Sequence, residues 1–180
     1  MAEESALLSS DRNGVRTIAK VTGVAVGAGW NLALGCDLVA ATPESTFSQI
    51  FAGRGLSVDL GGSWLLPKIV GLQQAKRLVL LAETIDAAEA HALNLLTWVV
   101  PATEIDDFVS DIAGRLAAGP TIALAQSKAL LNEGGSRTQR DALAGEARAR
   151  RSSISAQPIR GRRTPRSPSG ESPRLLGDGR

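Results

Sequence analysis

The chain has 180 residues, of which 43% are hydrophobic, 21% charged and 3% aromatic. That is enough for one domain with its own core and too little for two comfortable ones. The formal net charge of +2 hides an uneven spread: residues 1–147 carry 11 basic against 16 acidic side chains, and residues 148–180 carry 9 against 2. One cysteine, Cys36, excludes an internal disulfide and fits a reducing compartment. The opening string MAEESALLSSDRNG is polar and acidic, whereas a secretory signal starts basic and turns apolar. No run is apolar for long enough to span a bilayer, so a cytoplasmic protein is expected.

Residues 1–15 read as a frayed lead-in. Residues 17–22 alternate like a strand and feed the string VTGVAVGAGWNLALGCD at 21–37. This string reads as strand, glycine-rich turn and helix. Gly23, Gly27 and Gly29 remove Cβ atoms where the chain turns, and Leu32, Ala33 and Cys36 give the helix an apolar side. The first amides of that helix lack partners inside it and point outward as donors. A plain close-packing turn and a cradle for a phosphate or oxyanion both satisfy the string. It is neither a P-loop, since no Lys-Ser/Thr pair follows, nor GxGxxG.

Residues 37–41 form a second strand stopped by Thr42-Pro43, and 45–50 a third short strand or an irregular crossing. Residues 52–71, with Gly53, Gly55, Gly61 and Gly62, begin as a loop. Trp64, Leu65, Ile69 and Val70 start a helix that Pro67 breaks or kinks. Residues 72–81 are a helix with Leu72, Ala75, Leu78 and Val79 on one side. Asp86 and Glu89 form a capping-box pattern, with Asp in place of Ser/Thr, and 95–100 is a buried strand ended by Pro101. Residues 104–118 place Ile105, Phe108, Val109, Ile112 and Leu116 at the 3.6-residue period. Gly119-Pro120 opens a helix to about residue 132. Gly134-Gly135 separates it from a polar helix at 137–151. The order is α/β with a helical end. Residues 152–180, rich in Arg, Pro and Ser, are expected to be disordered. A basic tail can bind nucleic acid through phosphate charge; without interleaved aromatics a solvated tail is the reading preferred here.

Three segments together, the glycine string, FSQIFAGRGLSVDLGGSWLLPKIVG and AAEAHALNLLTWVVP, resemble the enoyl-CoA hydratase/isomerase (crotonase) family over residues 16–146. The resemblance implies a partial spiral of ββα turns followed by a helical C-terminal part, with a family domain at 16–151. It implies acyl-CoA thioester substrates, no separate cofactor because CoA is part of the substrate, and a homotrimer or association with longer relatives. The shared chemistry holds a thioester enolate with two backbone N–H donors. One donor falls at Ala28; the other lies upstream in the family, in a half that this sequence lacks. Losing one such donor costs about 10²–10³ in rate. The tail departs from the aromatic, lysine-bearing end of relatives, in the manner of a changed reading frame.

Hydratases of the family add water with two glutamates, and here those positions hold Asn31 and Phe51. Neither side chain carries a proton near neutral pH, so hydration by the usual route is not expected. Asp59 remains, where some isomerases and a dehalogenase carry an aspartate. The resemblance makes it a base beside the acyl chain, its pKa raised by burial among Ile50, Phe51 and Leu56. The alternative is that Asp59 caps the helix starting at Gly61-Gly62. Trp30 is either core or a wall of the acyl pocket, with Ile50, Phe51 and Leu56 as further pocket candidates. Trp64 and Trp98 read as core, and His91 as a surface or packing residue. No set of residues at ligand spacing suggests a metal. Three functions compete: an isomerase using Asp59, a catalytically dead acyl-CoA binder, and a nucleic-acid binder working through the tail. The second is preferred. A spiral cut midway leaves the strand at 17–22 as an exposed edge.

Overall fold

The computed structural model describes residues 14–155; the lead-in before residue 14 and the tail after residue 155 lie outside it. The strands β1 (Ile18–Val21), β2 (Val24–Val26), β3 (Leu38–Ala41) and β4 (Thr46–Ser48) alternate with the helices α1 (Ala28–Leu34) and α2 (Gly62–Leu81). Then follow β5 (Thr84–Asp86), α3 (Ala87–Ala92), β6 (Trp98–Val99), α4 (Ile105–Ala118), α5 (Thr121–Gly134) and α6 (Gln139–Ser155). A single-turn 3-10 helix, Ala52–Arg54, sits between β4 and α2.

Successive ββα units stack on one another. β3 pairs parallel with β1, from Ile18 on Leu38 to Val21 on Ala41, and β4 pairs parallel with β2, from Val24 on Thr46 to Val26 on Ser48. Each turn of chain thus adds one strand to each of two sheets. β5 then joins β4 antiparallel and β6 joins β3 parallel, giving the orders β1-β3-β6 and β2-β4-β5. β1 ends its sheet among the described residues, as expected. The corner between β3 and β4 is closed by its own hydroxyls. Thr42 and Ser45 are buried and bond to each other at 3.1 Å, and Ser45 Oγ also donates to Val21 O at 3.0 Å.

β3 divides two cores. Side chains alternate across a strand, so Val39 and Ala41 face a cluster with Trp30, Leu34, Phe47, Leu66, Leu78 and Ile85. Ala40 faces the other way, onto Val100, Ile105, Trp98 and Phe108. This explains a strand of four residues with no polar side chain.

Several expectations need correction. Only Trp98–Val99 of the stretch 95–100 pairs as a strand, while Leu95 and Leu96 pack into the larger core as loop residues. β5 was not foreseen. α2 does not break at Pro67, which is accommodated inside it. The break falls at Gly71, with φ 77° and ψ 160°, a backbone that is essentially glycine's alone. Leu72 therefore turns outward, and Leu32 is exposed because α1 buries Trp30, Asn31, Ala33 and Leu34 instead. Trp64 is 53% exposed, its ring covered by Lys68 Nζ at 3.2 Å from the centroid. Trp98 is half-buried, edge-on to Phe108 at 5.2 Å. His91 is exposed. Helix α6 continues through residues 152–155, which were expected to begin the disordered tail.

Polar side chains fix a helix start and the helical end. Asp86 caps α3 by accepting from Glu89 N at 2.8 Å. Lys128 of α5, almost fully buried, donates to Val15 O at 2.8 Å and to Asp37 at 3.0 Å. No helix among the described residues is long and apolar enough to cross a membrane.

Candidate functional site

Gly27 makes the turn between β2 and α1 with φ 53° and ψ −123°, a conformation in which a side chain is strained. Its N–H donates to Ser48 O at 2.8 Å and so ties the turn to β4. A Cβ at this position would lie 3.4 Å from both Ile50 Cγ2 and Phe51 Cζ. Those two side chains therefore close over the turn, Phe51 buried and Ile50 half-buried. Helix α1 makes its first internal bond from Asn31 N to Gly27 O at 3.0 Å. The N–H groups before it, Ala28's first among them, have no acceptor within the helix. A half-buried amide donor thus stands at the turn, flanked by apolar side chains.

Asn31 is completely buried. Its Oδ1 accepts from Gln49 Nε2 at 2.8 Å, and its Nδ2 donates to the backbone carbonyl of Asp59 at 2.9 Å. The amide orientation follows from the partners, because the flipped form would set oxygen against a carbonyl and nitrogen against a nitrogen. The same carbonyl also accepts from Gly62 N at 2.9 Å. A Cβ on residue 62 would stand 2.7 Å from Asn31 Cγ and Oδ1 and closer still to Nδ2. Only glycine permits that approach.

The surroundings expected for Asp59 are not found. Its side chain is exposed rather than buried, and Leu56, offered as an apolar neighbour and a pocket wall, is 64% exposed. Nor does Asp59 cap α2: Gly61 occupies that position, without a side-chain bond. Trp30 belongs to the core, with its ring 5.5 Å from that of Phe47, and is not a pocket wall.

Gln49 and Gly62 were not singled out from the sequence. They became visible only when the fold brought 31, 49, 59 and 62 together. A second feature had no sequence signal: a cavity of about 870 Å³ between the end of α1, the start of α2, and α4 and α5. Leu34, Leu60, Trp64, Leu65 and Leu124 supply its apolar walls, and Arg16, Cys36 and Lys128 its polar ones. None of Trp30, Ile50, Phe51 and Leu56 lines it. No group of three or more His, Cys, Asp or Glu able to hold a metal occurs among the described residues.

Cys36, half-buried in that wall, has its thiol pKa pushed up, first by burial and then by Asp37. A Thr17 hydrogen bond and Lys128 pull the other way. The thiolate is the reactive form, so Cys36 is expected to alkylate with iodoacetamide more slowly than a free thiol at pH 7.5. The rate should keep rising above the usual thiol range. A thiol held protonated by the fold contributes stability below the unfolded-state pKa, lost as pH rises through the folded value. A rate at neutral pH equal to that of the unfolded chain would contradict this.

Stacked ββα turns that deliver a glycine turn and an unpaired amide to one end of a short helix define a crotonase-like α/β spiral. The sequence model described as enoyl-CoA hydratase/isomerase matches residues 8–165, and the chain belongs to that family. It is 39% identical over 115 residues to the 1,2-epoxyphenylacetyl-CoA isomerase of Escherichia coli K12, covering 64% of this chain and 44% of the relative. The solved enoyl-CoA hydratase/isomerase of Cupriavidus metallidurans CH34 superposes with TM-score 0.82 at 34% identity, covering 86% of this chain and 58% of that one. A Thermobifida fusca YX protein described as an enoyl-CoA hydratase, in complex with acetoacetyl-CoA, gives TM-score 0.81 at 33% identity, covering 86% and 60%. The chain spans about half the length of the curated relatives it matches.

Proposed function

We propose that this chain binds acyl-CoA thioesters at the Gly27 turn, with the thioester oxygen on the Ala28 amide, and does not hydrate them. One observation carries the second half. At the two positions where hydratases of the family hold glutamates, Asn31 has both ends of its amide engaged and Phe51 is a buried hydrocarbon. A general acid or base contributes about 10²–10⁴ in rate, and neither residue can act as one. The binding half is supported by family membership and by the acetoacetyl-CoA bound to the Thermobifida fusca protein.

A second reading is supported by the placement of Asp59, whose peptide is bonded to Asn31, three residues beyond Ala28 on the same helix. As a base, its carboxylate takes a proton from C2 of a 3-enoyl thioester. The resulting dienolate oxygen rests on the Ala28 N–H, and the carboxylic acid returns the proton to C4. The double bond has then moved, with no net gain or loss of atoms. Self-association or association with longer relatives is a further part of the reading, supported by the exposed Ile122, Leu131 and Leu143 on α5 and α6.

The test is a calorimetric titration with acetoacetyl-CoA beside assays of crotonyl-CoA hydration and 3-enoyl-CoA isomerisation. Saturable binding without hydration is expected. Hydration at a rate typical of family enzymes, or no binding, would overturn the proposal.

A further inference from the structure

We propose that Asn31 is a positioning residue, which fixes the Asp59 loop to the first turn of α1 through its hydrogen bond to the Asp59 carbonyl. The catalytic consequence rests on the reading of Asp59 as base; the anchoring rests on geometry alone.

The Asp59 carboxylate has no hydrogen bond or ion pair of its own among the described residues, and it lies in an exposed stretch. Gly55 and Gly61, on either side, both adopt left-handed backbone, φ 69° and 75°, so local stiffness does not place it. What places it is its own peptide oxygen, which receives Asn31 Nδ2 and Gly62 N, each at 2.9 Å. Asn31 in turn is held from behind by Gln49, also completely buried. Gln49 Oε1 has no partner among the described residues, so within the described residues the side chain serves through its donor. Gly62 completes the clamp by leaving room for the amide. Ala28 and Asp59, 31 positions apart, are thereby referred to one rigid element. Misplacing a reacting group by about 1 Å costs about 10²-fold, so a residue that touches no substrate gains a kinetic role.

The test compares Asn31→Asp, which keeps the size but sets an acceptor against the Asp59 carbonyl, with Gln49→Ala, which removes the orienting donor together with the rest of that buried side chain. Amide hydrogen exchange at Gly62 and steady-state isomerisation of a 3-enoyl-CoA are read for each. Gly62 exchange is expected to rise at least about tenfold in Asn31→Asp and less in Gln49→Ala, with amides of α4 unchanged. kcat is expected to fall about 10–100-fold with KM within about twofold. Unchanged Gly62 exchange in both variants would overturn the anchor. Raised exchange with unchanged kcat would overturn its catalytic role, and hydration appearing in Asn31→Asp would place position 31 against the substrate. If the unmodified chain does not isomerise, the reading of Asp59 as base fails and the exchange arm alone decides the anchor.

Discussion

Asp37→Ala is expected to destabilise the chain by about 2–3 kcal/mol, the cost of losing hydrogen bonds to a charged group that also pairs with a buried lysine. Asp37 accepts from Thr17 N at 2.7 Å, from Thr17 Oγ1 at 3.1 Å and from Lys128 Nζ at 3.0 Å. It therefore joins the start of β1, the start of β3 and the middle of α5. The Lys128 side chain is 8% exposed and that of Asp37 23%, so the cost is asymmetric. Removing the carboxylate takes the anionic partner from a buried cation that keeps the Val15 carbonyl, whereas Lys128→Met leaves an exposed anion with two Thr17 donors. Lys128→Met should cost less than Asp37→Ala. The double variant Asp37→Leu/Lys128→Met should recover part of the loss, because the buried cation is removed with its partner. At about 2–4 °C per kcal/mol for a chain of this size, Asp37→Ala lowers Tm by about 4–12 °C. Equal losses in the two single variants, seen by urea denaturation, would show that burial of the lysine does not govern the pair.

The contrast between this pair and Asp86 shows what the sequence can reveal. Asp86 and Glu89 are three residues apart, and an N-cap is a local interaction, so the pattern alone predicts the bond that forms. The long helix at 105–118 is similarly legible, because its period needs no partner to be seen. Asp37 and Lys128 are separated by 91 positions, and nothing local marks either. The stacking of ββα turns came from family resemblance, not from periodicity, since strands of three or four residues are too short to show a pattern. β5 was missed for that reason: Thr84–Asp86 pairs with β4 across some 38 positions. Trp64 was misjudged because helical periodicity locates a helix without saying which of its faces finds a neighbour. At the site, the types at 31 and 51, an amide and a benzyl group, are read directly off the sequence. What Asn31 does instead depends on Gln49, Asp59 and Gly62 meeting in space, which no spacing rule announces.

Asp59→Asn provides the sharpest test of whether the chain turns over at all. The substitution keeps the shape of the side chain and removes its ability to accept a proton near neutral pH. It leaves the anchor intact, because Asn31 and Gly62 bond to the backbone carbonyl of residue 59 and not to its carboxylate. Fold and loop position are therefore conserved, and the measured change reports chemistry. If Asp59 shuttles the proton between C2 and C4, kcat/KM for a 3-enoyl-CoA should fall about 10²–10⁴-fold, with affinity for acetoacetyl-CoA unchanged within about twofold. A fall in both together would mean that Asp59 helps bind the ligand rather than carry its proton. An unchanged rate would remove Asp59 from the chemistry. The amide donor of the Gly27 turn would then remain, a group able to hold a thioester oxygen but not to move a proton.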